Sequence, residues 1–122
     1  MIRAIDLTEA QTHALLAEPR QMVMSAPGIA SPREWENLVV DRASEEVRMG
    51  TWVCEPYTDE IVDYEYDEFM YLLKGTVELI YPDGSTDVFG PGQAFLLPSG
   101  FTGTWKQPET VIKFFVMIGR AA

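Results

Sequence analysis

DYEYDEFMYLLKG, residues Asp63 to Gly75, passes from alternating acids and aromatics into an apolar run closed by a glycine. The second half, FMYLLKG, has apolar residues on both faces, and Thr76 to Tyr81 (TVELIY) runs back beyond the turn, so the pair reads as two strands with both faces covered. Glu68 opens the buried run. A carboxylate there must find a partner or shift towards its neutral form, so it is either a structural hydrogen-bonding group or part of a site.

Outward from this pair the chain is a series of short strands separated by turn residues. The expected strands are Leu38 to Asp41, Val47 to Cys54, Ile61 to Tyr66, Phe69 to Lys74, Thr76 to Tyr81, Thr86 to Phe89, Ala94 to Leu97, Gly103 to Lys106 and Thr110 to Ile118. Pro82-Asp83-Gly84-Ser85 and Gly90-Pro91-Gly92 are turns by composition: proline presets φ, and glycine supplies the positive φ that a turn requires. Before the strands, Thr8 to Gln11 forms a capping box ahead of a short amphipathic helix, Glu9 to Ala17, that ends at Glu18-Pro19. Gln21 to Trp35, with Pro27, Gly28 and Pro32, reads as a cover segment. The organisation is therefore one domain, with residues 1–36 as helix and cover and residues 37–122 as an all-β barrel.

Two spacings carry a family resemblance. Glu68, six residues, then Gly75 matches half of the first cupin motif, and Gly92, five residues, Pro98, one residue, Gly100 matches the start of the second. The chain resembles a small single-domain cupin, and YDEFMYLLKGTVEL and FGPGQAFLLPSGFTGTWKQPETVIKFFV resemble the branch of ureidoglycine aminohydrolase-like and ethanolamine-utilisation cupins. The likeness spans roughly Gly50 to Ile118 and implies a double-sheet jelly roll. Metal-binding cupins carry histidines at places that here hold Val62, Tyr64 and Gly103, so of the four ligands Glu68 alone remains. One carboxylate and a phenol suit no first-row transition metal, and no metal or other cofactor is expected.

Composition narrows the function. A net charge of −10 with nine scattered basic residues argues against nucleic acid and against an anionic membrane surface. No apolar run is long enough to span a bilayer, the N-terminus lacks the order of a signal peptide, and a lone Cys54 fits a reducing compartment; a cytoplasmic protein is expected. Seven acids lie between Glu55 and Glu68 with no base among them. They form either a solvated edge that discourages strand addition or a site for a cation or amine. His13, the one histidine, sits on the expected helix and reads as a surface residue.

Strand alternation sorts these groups. If Glu68 points inward, Tyr64 and Val62 share its side through even offsets, while Asp63, Glu65 and Asp67 face out. Lys113 stands in a strand that is apolar on both faces, and the relatives resembled carry a basic residue at the matching place; a buried lysine needs a partner, and Glu68 is the candidate. Such a pair would complement a small zwitterion or serve as an ion pair replacing a metal. Trp105, Trp52 and Tyr66 are aromatic candidates for a pocket wall, although a tryptophan on such a strand is more often core than a ligand stack.

The resulting expectation is a cupin that binds a small polar metabolite, an amine, ureide or amino-acid-like compound, around Glu68, Tyr64, Trp105 and Lys113. Metal-independent acid/base chemistry would use Glu68 as base and Lys113 or Tyr64 as proton donor. The alternatives are a non-catalytic scaffold with a filled barrel and a metal-dependent aminohydrolase-like enzyme. Two-sided apolar strands in so small a domain also predict a homodimer.

Overall fold

The computed structural model describes residues 1–7 and 18–119. Ten strands are present among the described residues: β1 (Arg20–Gln21), β2 (Arg33–Arg42), β3 (Val47–Cys54), β4 (Tyr57–Ile61), β5 (Tyr66–Lys74), β6 (Val77–Ile80), β7 (Thr86–Phe89), β8 (Ala94–Leu97), β9 (Gly103–Gln107) and β10 (Val111–Gly119). They build a six-stranded sheet in the order β1-β2-β3-β10-β5-β8, facing a four-stranded sheet in the order β4-β9-β6-β7, and every pairing is antiparallel. This is the double-sheet jelly roll. The helix expected over Glu9 to Ala17, with His13, lies outside the described residues.

The core lies between the sheets, where inward residues of both alternate with outward ones. From the larger sheet come Trp52, Cys54, Met70, Leu72, Val111 and Phe115; Val77, Leu79 and Trp105 come from the smaller one. β10 keeps its phase through Lys113 because the β5 partner strand takes up a bulge: Ile112 pairs with Lys74 but Lys113 pairs with Leu72, leaving Leu73 as the extra residue. Val111, Lys113, Phe115 and Met117 therefore all face inward. Ile112 packs instead on the outer face with Val53, Trp35 and Leu73.

Several boundaries differ from the sequence reading, which also lacked β1 and most of β4; three of the differences have a plain cause or effect. β2 begins at Arg33, five residues before the expected Leu38, because Glu34, Trp35 and Glu36 already pair with β3. Polar residues at alternate positions had hidden that strand. The second difference is the expected strand Ile61 to Tyr66, which does not exist as one piece: β4 ends at Ile61 and β5 starts at Tyr66. Between them Asp63 takes a left-handed φ of 48°. There the chain crosses between the sheets, with Asp63 N–H donating to Thr102 Oγ1 and Tyr64 N–H to the Phe101 carbonyl. The third is minor, β9 running one residue further, to Gln107.

Candidate functional site

Sheet register places four inward residues in a row: Glu36 on β2 opposite Trp52 on β3, Trp52 opposite Lys113 on β10, and Lys113 opposite Leu72 on β5. Glu68, also on β5, lies opposite Met117 and Leu97. The long Lys113 side chain runs diagonally to it. Lys113 Nζ stands 2.6 Å from Glu68 Oε2, with side-chain exposures of 7% and 4%. A second contact, 3.1 Å, is to Met70 Sδ. The ammonium also lies 4.5 Å from the ring centroid of Trp52 and 5.2 Å from that of Trp105, so a carboxylate and two aromatic faces surround it.

The other Glu68 oxygen, Oε1, accepts the Tyr64 hydroxyl. Burial, and then the Glu68 charge, push the Tyr64 phenol far above its ordinary range, so it stays a donor. Trp105 is fixed by its own network: its indole N–H donates to Gln107 Oε1 at 2.9 Å, and Gln107 Nε2 donates to the carbonyls of Cys54 and Glu55. Gln107 is 1% exposed and ties the smaller sheet to the end of β3. Cys54 is packing: burial pushes its thiol up to about 12.

These groups line an open cavity of about 430 Å³ between the sheets. Glu68, Tyr64, Lys113, Trp52 and Trp105 all border it. Two of the sequence candidates do not. Val62 is 74% exposed, because the turn at Asp63 breaks the alternation that was meant to carry it inward with Glu68. Tyr66 packs edge-to-face on Tyr64 at 5.8 Å and borders a different cavity, about 350 Å³, alongside Glu46 and Arg48. Conversely, sequence reasoning missed Glu34, Glu36 and Arg20, all at the cavity wall, where Asp59 and Glu60 of the acidic stretch also stand. Glu34 and Glu36 sit at alternate positions around Trp35, which is a period-two signal once β2 is extended to Arg33.

The donor set does not fit a metal ion of the kind other cupins hold. Both Glu68 oxygens already face donors, one of them a cation. Gly103 has no room for a ligand, since a Cβ there would meet the Ile80 carbonyl oxygen at 2.6 Å and the Phe101 ring at 2.8 Å. Val62 points to solvent.

A two-sheet jelly roll closed around a glutamate that begins an E-x6-G strand defines a cupin. Residues 42–115 match the EutQ-like cupin domain, and the chain belongs to that family. No curated protein matches the chain. Among solved structures, a DUF861-family protein of unknown function from Pseudomonas syringae pv. tomato is 24% identical with a TM-score of 0.71, over 84% of this chain and 45% of that one. The Clostridium difficile EutQ protein is 17% identical with a TM-score of 0.65, over 84% and 78%. A DUF861 protein from Thermotoga maritima is 30% identical with a TM-score of 0.51, over 55% and 75%. The chain thus spans less than half the length of the Pseudomonas protein.

Proposed function

We propose that the cavity binds a small polar metabolite, with the Lys113 ammonium as the fixed positive charge that meets an acceptor atom of the ligand. The observation that carries this is the open volume itself: about 430 Å³ bordered by a buried ion pair is room for a small molecule, not the filled interior of a scaffold. The ammonium has three donors, and Glu68 and Met70 take two. Trp52 and Trp105 supply flat apolar walls. An amine, ureide or amino-acid-like ligand suits this mixture, and the likeness to ureidoglycine aminohydrolase-like cupins points the same way, towards nitrogen metabolism in the cytoplasm.

Acid/base chemistry extends the proposal. Glu68 becomes a base when a ligand group takes the place of the Tyr64 hydroxyl; the Lys113 ammonium is then the proton donor, and Tyr64, kept as a neutral phenol, positions the ligand by donating a hydrogen bond. No metal enters this scheme. A thermal-shift screen of chelator-treated protein against amines, ureides and amino acids tests it, because a ligand of the folded state raises Tm by mass action. Stabilisation retained in W52A and W105A would place the binding elsewhere and defeat the reading.

A second subunit is also part of the proposal. The outer face of the larger sheet carries Trp35, Leu73, Val53 and Ile112 together with the stacked pair Tyr71 and Phe114, and Phe69 and Leu96 are 46% and 57% exposed beside them. A continuous apolar sheet face of this kind favours pairing with a second copy about a two-fold axis.

A further inference from the structure

The cavity lip beside β1 is more acidic than its floor. Five carboxylates and two cations line the whole cavity, and both cations are engaged, Lys113 by Glu68 and Arg20 by Glu34. Arg20 stands on a two-residue strand at the sheet edge, opposite Glu34. Its Nε and Nη2 both reach one oxygen, Glu34 Oε1, at 3.0 and 2.8 Å, and Nη2 lies 3.5 Å from Glu36 Oε2. Exposure is lopsided. The Arg20 side chain is 61% exposed, whereas those of Glu34 and Glu36 are 9% and 23% exposed.

Two carboxylates are thus sunk in the wall while a surface cation leans over them. Burial raises the Glu36 carboxyl above its usual range, and Arg20 offsets this in part. Glu36 also neighbours Trp52 across the strands, the indole that already faces an ammonium. Carboxylates beside an aromatic face, partly dry, are the surroundings that a cationic nitrogen prefers.

We infer that this lip is the subsite for a cationic nitrogen, a primary amine or guanidinium, of the cavity's ligand, and that Arg20 fills it as an intramolecular surrogate which the ligand displaces. The inference rests on the cavity being a metabolite site. Displacement is easy, because an exposed side chain on an edge strand has little holding it and the incoming cation takes over the neutralisation of Glu34 and Glu36. The far end of the ligand then reaches Lys113 along the Glu36, Trp52, Lys113 row.

Calorimetric titration of the full chain with four probes of similar size tests this: 4-aminobutan-1-ol, agmatine, 1,4-butanediol and 4-hydroxybutyrate. The two cationic probes are expected to bind at least about tenfold tighter than the diol, since a diol that enters the lip must displace Arg20 without replacing its charge over Glu34 and Glu36. R20A removes the competitor and should tighten the cationic probes several-fold while leaving the diol unchanged. E36Q should weaken the cationic probes and spare the diol, and it keeps the side-chain volume should R20A fold poorly. Equal binding of all probes, a preference for 4-hydroxybutyrate, or weaker amine binding in R20A overturns the cation subsite while leaving the cavity reading intact. No binding of any probe to wild type or either variant overturns both.

Discussion

Lys113→Ala is the most informative single change. The ammonium and the Glu68 carboxylate are 2.6 Å apart with almost no solvent at either. At that separation the gross attraction in an effective dielectric of about 20 is about 6 kcal/mol. Desolvation of the two ions cancels much of this in the intact protein, so the pair adds little net stability. Removing one partner is different: it leaves the other charge buried at full desolvation cost, which amounts to about 3–5 kcal/mol. The Tyr64 hydroxyl softens the loss without a compensating charge. For a 122-residue chain this corresponds to a fall in Tm of about 12–20 °C. Urea unfolding should give the same loss with an unchanged m-value. The deficit should shrink as pH is lowered, since protonating the stranded carboxyl relieves it. Replacing both partners, Lys113→Met with Glu68→Leu, should recover most of the stability. A loss under about 1 kcal/mol in Lys113→Ala, or a double variant no better than the single one, would refute the reasoning that the pair is buried and mutually dependent.

Tyr64→Phe removes a hydrogen bond to a charged acceptor and should cost about 1.5–3 kcal/mol by chemical denaturation; no loss would mean that Glu68 does not need that donor. Gly75→Ala should destabilise more than a surface change, because Gly75 has φ of 84° and a Cβ would meet the Thr110 carbonyl oxygen at 2.3 Å; unchanged Tm would contradict that close approach. Iodoacetamide at about pH 8 should leave Cys54 unlabelled in native protein and label it after unfolding, as a buried thiol raised to about 12 carries almost no thiolate. The sign for stability follows: the raised thiol contributes fully below its unfolded value of 9.0 and that contribution is lost as pH climbs towards 12. Light scattering should give about twice the 13.8 kDa of one chain, and a charge at Phe69 should shift it towards monomer; a wild-type monomer at micromolar concentration removes the second subunit.

What could be read in the sequence was whatever depends on period and on special backbone positions. The E-x6-G spacing, the glycine turns and the two-sided apolar runs led to the jelly roll; alternation could not orient Lys113 in a strand apolar on both faces, and its inward reading came from a buried lysine's need for a partner and from the resemblance to cupins with a basic residue there. The same rule failed at Val62, since a left-handed residue at Asp63 resets the phase; aspartate tolerates that conformation better than most residues but does not require it, so the sequence alone did not mark the break. Tyr64 nevertheless reached Glu68, through the turn and not along a strand. The acidic lip stayed hidden for the opposite reason. Glu34 and Glu36 lack the apolar partners that mark a strand, and Arg20 meets them only because β1 pairs with β2, a contact between segments 14 residues apart.

The packing of Gly103 bears on how this pocket behaves over long times. With Ile80 and Phe101 pressed against its α-carbon, a histidine introduced there would have to part β9 from β6 before it could point anywhere useful. Holding a metal as other cupins do would require that shift together with a rebuilt crossing at Val62 and the eviction of Lys113 from Glu68. The positive charge in the pocket is instead covalently part of the chain. It cannot be stripped by a chelator, starved by scarcity of the element, or exchanged for a wrong ion, so occupancy of this centre is independent of the metal supply around it.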